Sequence, residues 1–175
     1  FILMSVVIQI IVSLFLFSII SSDSNSFGWT TERKLTWSDF KGKPDKSNPA
    51  AALTYTDIKM NASLNNDVIS ILVENLFNQN LSWSKNKNSA SLLAHEQLHF
   101  DITEIYTRKI RLKMNEIASA KTIQNGTLNK ESSKLLKEWK QFQNKYDEET
   151  NHGILTDKQK EWQLKVQSLL KEIKD

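Results

Sequence analysis

The sequence predicts an α+β fold, in which a small, mostly antiparallel sheet packs on a long helix and two further helices. Segments rich in β-branched and aromatic residues lie between about residues 35 and 84, and the later part of the chain repeats apolar residues with a helical period. At 175 residues the chain has the length of one main domain, which we place at residues 35–175.

The N-terminal segment differs in composition from everything that follows. Residues 1–20 contain no charged side chain, which is typical of a segment that enters a bilayer. We therefore assign residues 1–22 to a signal peptide or an N-terminal membrane anchor, and residues 23–34 to a linker that begins with small polar residues. The protein is then expected to be secreted, periplasmic or anchored to the outer side of the cytoplasmic membrane.

Two segments of the predicted sheet pair as a hairpin. Leu53–Leu64 and Val68–Phe77 have the composition of strands, and the sequence Asn65-Asn66-Asp67 between them suits a tight turn. The loop that precedes them, residues 41–49, holds both prolines of the chain.

The helices follow the sheet. Residues 89–122 contain no glycine or proline and carry a repeating apolar pattern, which predicts one long helix. A second helix is predicted from about Asn129 to Tyr146, and the stretch 147–153, which has no apolar side chain, is predicted to be a polar loop. Thr156 is the expected N-cap of a last helix.

Composition excludes several classes of function. The 23 basic and 20 acidic residues give a net charge of +3 with the basic residues scattered along the chain, so no nucleic-acid partner is expected. The absence of cysteine excludes disulfides, thiolate-bound zinc and thiol catalysis. Any bound metal must therefore be held by histidine and carboxylate side chains.

The first long helix contains His95-Glu96-Gln97-Leu98-His99, the HExxH pattern of zinc peptidases. Residues four apart lie on one helix face, so His95 and His99 are predicted to chelate one zinc ion. Glu96 is the predicted general base, and an open coordination position is expected because too few histidines remain to close the shell.

A third ligand must come from elsewhere in the chain. His152 is the preferred candidate, because a second helix that returns along the first would bring it beside His99. Glu116 stands about 25 Å from His99 on an unbroken helix, and Asp147 and Glu149 remain carboxylate alternatives.

Other polar and aromatic residues have less specific interpretations. Tyr146 is a candidate oxyanion donor or a tyrosine at the edge of the core. Asp147 could also orient a ligand histidine or cap the loop. Trp37, Trp83 and Trp139 are expected in the core rather than in a substrate site.

From Leu35 to Trp162 the chain resembles a bacterial family described as predicted secreted zinc-dependent proteases, domain of unknown function 922. The motifs that carry this resemblance are Leu35–Gly42, Ser82-Trp83, Leu93–Asp101 and Tyr146–Gly153, followed by Gln159 and Trp162. The resemblance implies a zincin-like peptidase fold, and it supports His152, which belongs to the second large motif.

These observations together predict a monomeric zinc-dependent peptidase that acts outside the cytoplasm on peptide or protein substrates, with a first segment that inserts in the membrane. Two alternatives stay open: a metal-binding module without catalysis, and a helical interaction domain of the cell envelope.

Overall fold

The computed structural model describes residues 25–65 and 68–174, and it confirms an α+β fold with small antiparallel sheets. Five strands precede four helices along the described chain. They are β1 (Ser26–Gly28), β2 (Ala52–Leu53), β3 (Thr56–Asn65), β4 (Val68–Asn78), β5 (Trp83–Ser84), α1 (Ala90–Ile117), α2 (Ala120–Gln124), α3 (Thr127–Thr150) and α4 (Thr156–Glu172), with a 3-10 helix at Trp37–Asp39.

Two antiparallel sheets are present. The larger has the order β1-β4-β3, and β3 and β4 pair from Thr56 with Phe77 to Asn65 with Val68, as the predicted hairpin requires. The smaller sheet joins β2 to β5. The predicted first strand from Leu53 to Leu64 is thus divided, because the Tyr55 amide donates to Ser82 Oγ instead of continuing a ladder.

The folded region begins before the predicted boundary at residue 35. Within the predicted linker, Ser26–Gly28 pair with β4, and the Trp29 indole donates to Asp101 Oδ1 at 2.7 Å. The predicted signal or anchor segment, residues 1–22, lies outside the described residues. Within the described part of the chain, none of the helices has the length and apolar character that crossing a bilayer requires.

The helix that carries the HExxH sequence is shorter than predicted. Ser89 caps its N-terminus by accepting a hydrogen bond from the Leu92 amide. It ends at Ile117 rather than near Thr122, because Ser119 and Thr122 exchange side-chain and backbone hydrogen bonds that start the separate helix α2.

The second long helix is longer than predicted, and this is the correction that matters most for the site. α3 continues through Thr150, so Asp147 is helical rather than part of a loop. The helix ends where Asn151, His152 and Gly153 adopt left-handed backbone angles, with φ of 47°, 54° and 79°. The residues of this last turn that face the protein, Asp147 and Thr150, are polar, so the lack of apolar residues after Tyr146 does not mark the end of the helix.

Helix α1 lies at the centre of the molecule and contributes to three apolar clusters. The first packs α1 against α3 and α4, and its buried residues are Leu98, Ile102, Ile105, Tyr106, Tyr146, Trp162 and Val166. The second packs α1 against β4 and the N-terminal segment, through Leu35, Phe40, Phe77 and Phe100. The third packs α1 against β4 and the start of α3, through Val73, Ile110, Met114 and Leu128. This packing fixes α1 on every side and holds α3 antiparallel to it.

Candidate metal centre

Helix α1 presents the two histidines of the HExxH sequence on the face that packs against α3. His95 is buried, and its Nε2 atom lies 3.1 Å from Nε2 of His99. The two rings are nearly perpendicular, with centroids 4.7 Å apart. Both Nε2 atoms therefore point to one location between the helices.

Asp147 of α3 supplies a third atom to this location. Its Oδ1 atom lies 3.1 Å from His95 Nε2 and 3.0 Å from His99 Nε2. Among the residues that the structure describes, these three form the one group of histidine and acidic side chains close enough to hold a metal ion. We refer to His95, His99 and Asp147 as the HHD cluster.

The far nitrogen of each histidine contacts a glutamine. Gln143 Oε1 lies 2.6 Å from His99 Nδ1, and Gln159 Oε1 lies 3.3 Å from His95 Nδ1. A carbonyl oxygen only accepts hydrogen bonds, so each contact requires a proton on Nδ1. In the neutral rings both Nε2 atoms then carry lone pairs, and three electron-rich atoms face one another.

Such an arrangement requires a positive charge among its members. In the protein without metal, one proton held among these atoms would provide it. Burial opposes the charged form of His99, but the hydrogen bond to Asp147 and the nearby carboxylates of Glu96 and Asp147 outweigh burial and raise the His99 pKa. Burial likewise opposes ionisation of Asp147, but its contacts with the two imidazoles hold its pKa well below the ordinary range. A metal cation at the same location would replace this proton.

Glu96 lies beside His95 on α1 and is buried. Its carboxylate acts on the HHD cluster through its charge, which is among the causes of the raised His99 pKa. The backbone carbonyl of Glu96 accepts a hydrogen bond from Thr54 Oγ1 at 3.3 Å, which links this part of α1 to the segment before β3. Its role as a base stays a prediction.

The preferred third ligand, His152, lies at the edge of the cluster and not among its three converging atoms. Its side chain is 75% exposed, and its Nδ1 atom lies 3.7 Å from Asp147 Oδ1. The place that the sequence assigned to His152 holds Asp147, one of the weighed alternatives, because α3 extends far enough to turn this carboxylate toward α1. Ligation by His152 stays a prediction.

The other acidic candidates are engaged elsewhere. Glu116 is exposed and pairs with Lys113, and Glu149 accepts a hydrogen bond from the Trp162 indole.

Tyr146 is fully buried and stacks on the ring of His95, with centroids 4.7 Å apart. Its hydroxyl donates to Gln159 Oε1 at 2.8 Å. Burial is the main cause that raises the pKa of this hydroxyl. In this structure the group supports the second glutamine, and the predicted oxyanion role stays a prediction.

The residue that sequence reasoning missed is Gln143. A usable indication was present, because Gln143 and Asp147 are four residues apart, as His95 and His99 are on the facing helix. Gln159 was singled out by the family resemblance, but no role was assigned to it.

Comparison with known proteins gives a family and no function. No curated protein and no solved structure matches the chain significantly. One family model matches residues 21–153, which include the HHD cluster and most of the described fold. The chain therefore belongs to the family described as bacterial protein of unknown function (DUF922).

Proposed function

We propose that this protein is a zinc-dependent peptidase that hydrolyses peptide bonds outside the cytoplasm, with His95, His99 and Asp147 as metal ligands and Glu96 as general base. The observation that carries the proposal is the convergence of two imidazole nitrogens and one carboxylate oxygen, 3.0–3.1 Å apart. The extracytoplasmic location rests on the composition of residues 1–22.

The donor set suits zinc. Nitrogen and oxygen ligands at tetrahedral zinc stand about 3.3 Å from one another, close to the separations in the HHD cluster. Three protein ligands are the usual number at catalytic zinc, which keeps a position open. When bound, zinc supplies Lewis acidity toward the scissile carbonyl and toward water.

Glu96 is the group that would move protons. It follows His95 directly in α1, so its carboxylate lies beside the ligand face without being one of the three converging donors. In the proposed reaction Glu96 takes one proton from the attacking water and donates it to the departing amine nitrogen. The carboxylate is thereby restored at the end of each turnover.

A metal-binding module without catalysis is the second candidate, and one observation favours it. His152 Nδ1 lies 3.7 Å from Asp147 Oδ1. A small rotation of this exposed side chain would add a fourth protein donor, and a closed four-ligand shell is typical of structural zinc. Equimolar bound zinc without hydrolysis of any peptide in a broad library would support this candidate.

The test compares zinc-loaded wild type with Glu96→Gln on a fluorogenic peptide library. The substitution keeps the size of the side chain but removes the proton acceptor, so turnover should fall by about 10²–10⁴-fold while the zinc content stays equal. Glu172→Gln, at the exposed end of α4, is the matched control and should retain full activity. An active Glu96→Gln enzyme would refute the assignment.

A further inference from the structure

Gln143 makes three polar contacts that fix the orientation of its amide. Its Nε2 atom donates to the His99 carbonyl oxygen at 3.0 Å and to Thr103 Oγ1 at 3.2 Å. The reversed amide would place Oε1 against that carbonyl oxygen with no proton between them. The Oε1 atom must therefore face His99 Nδ1, where the separation is 2.6 Å.

This orientation determines how His99 can act. Because Oε1 accepts, Nδ1 of His99 must carry a proton, and Nε2 is the nitrogen that remains for another partner. That nitrogen points to Asp147 and His95.

Gln159 holds His95 in the corresponding way from a different helix. Its Oε1 atom accepts the Tyr146 hydroxyl at 2.8 Å and faces His95 Nδ1 at 3.3 Å. Tyr146 is fully buried, so Gln159 and the His95 carbonyl oxygen, which is 3.3 Å away, are the acceptors available to the proton of its hydroxyl.

We infer that Gln143 and Gln159 are the positioning residues of the metal centre: each holds one histidine with Nδ1 protonated and Nε2 directed at the metal. The inference rests on the proposed metal site. Both acceptors are uncharged amides, so they orient the rings without adding negative charge beside the cation, unlike the carboxylates that often serve this purpose.

The test measures zinc affinity by competition with a chelator for Gln143→Leu and Gln159→Leu. Loss of a residue that hydrogen-bonds a metal ligand typically weakens metal binding by about 10–100-fold, and each variant should show a loss of zinc affinity in this range. The exposed residues of the same helices give matched controls, Gln141→Leu and Gln163→Leu, with unchanged affinity.

Nuclear magnetic resonance of ¹⁵N-labelled histidine supplies a readout that is independent of activity. In zinc-loaded wild type both rings should coordinate through Nε2 and keep a slowly exchanging Nδ1 proton. In Gln143→Leu the Nδ1 proton of His99 should exchange with solvent much faster. Coordination through Nδ1, or wild-type affinity in both leucine variants, would overturn the inference.

Failure of the proposed function would be distinguishable from failure of this inference. The Nδ1 proton of His99 is expected in the zinc-free protein as well, since the contact with Gln143 exists there. A protein that binds zinc through Nε2 but hydrolyses nothing would leave the positioning role intact. A zinc-free protein without this proton would refute the role by itself.

Discussion

Gly153 lies against the ring of His95, and any side chain at its position would crowd that ring. A Cβ atom there would stand 2.9 Å from His95 Cγ and 3.0 Å from His95 Nδ1, and φ is +79°. His95 is thus confined between Tyr146, which stacks on its ring, and the backbone that follows α3. The HExxH spacing predicted the pair of histidines, but this confinement depends on backbone angles that spacing does not reveal.

Replacing Gly153 by alanine should affect both stability and the site. The left-handed backbone alone costs about 1–2 kcal/mol for alanine, and crowding against His95 should add about 1–3 kcal/mol and weaken zinc binding. Gly126 is the matched control, because its φ is +77° and nothing lies within 4 Å of an added Cβ. Gly126→Ala should lose stability but keep zinc affinity, as urea unfolding and zinc titration would measure. Equal effects of the two substitutions would contradict this account of Gly153.

At the scale of elements, the short 3-10 helix Trp37–Asp39 is held by one buried carboxylate. Asp39 accepts hydrogen bonds from the Thr36 amide at 2.8 Å, from Thr36 Oγ1 at 2.9 Å and from Arg33 at 3.0 Å. Burial opposes its ionisation, but these hydrogen bonds and the Arg33 charge outweigh it and lower the Asp39 pKa below 3.8. These hydrogen bonds join Asp39 to residues of the same segment and fix its local conformation.

The stability that Asp39 contributes should depend on pH. A carboxyl whose pKa is lower in the folded state stabilises the protein above its unfolded pKa, here about 3.8, and this contribution is lost as pH falls further. Asp39→Asn should therefore unfold more easily by about 1–3 kcal/mol at pH 7, with a difference that shrinks below pH 4. Urea unfolding at several pH values checks this, with exposed Asp57→Asn as control. A difference that does not change with pH would contradict the assignment.

Element prediction from sequence succeeded where local chemistry decides the structure. The Asn65-Asn66-Asp67 stretch marked the hairpin, and the absence of Gly and Pro marked α1. It failed at the end of α3, because the residues of the last turn that face inward, Asp147 and Thr150, are polar and give no apolar pattern. The last turn of α3, which ends at Thr150, decides whether Asp147 or His152 faces α1. The prediction of the third converging atom therefore depended on where α3 ends.

At the scale of the whole molecule, α1 is the element against which β4, α3 and α4 pack. Both ends of α4 are tied to it: Gln159 faces His95, and Arg108 Nη1 donates to the carbonyl oxygens of Leu170 and Ile173. α3 is tied to it through Gln143 and Asp147. Side chains of α1, α3 and α4 thus meet around His95 and His99. The sequence pattern of a single helix cannot predict this, because it depends on how the three helices pack.

The central claim is that His95, His99 and Asp147 together bind one zinc ion, and zinc titration of a ligand series tests it most directly. Circular dichroism checks that every variant is folded, and Asp157→Asn, an exposed acidic residue of α4, is the control. We predict that wild type, Asp157→Asn and His152→Ala each bind one equivalent of zinc. Asp147→Asn should bind zinc at least about 100-fold more weakly, a larger loss than is expected for a residue that only hydrogen-bonds a metal ligand. Wild-type affinity in Asp147→Asn, or loss of zinc in His152→Ala alone, would contradict the account.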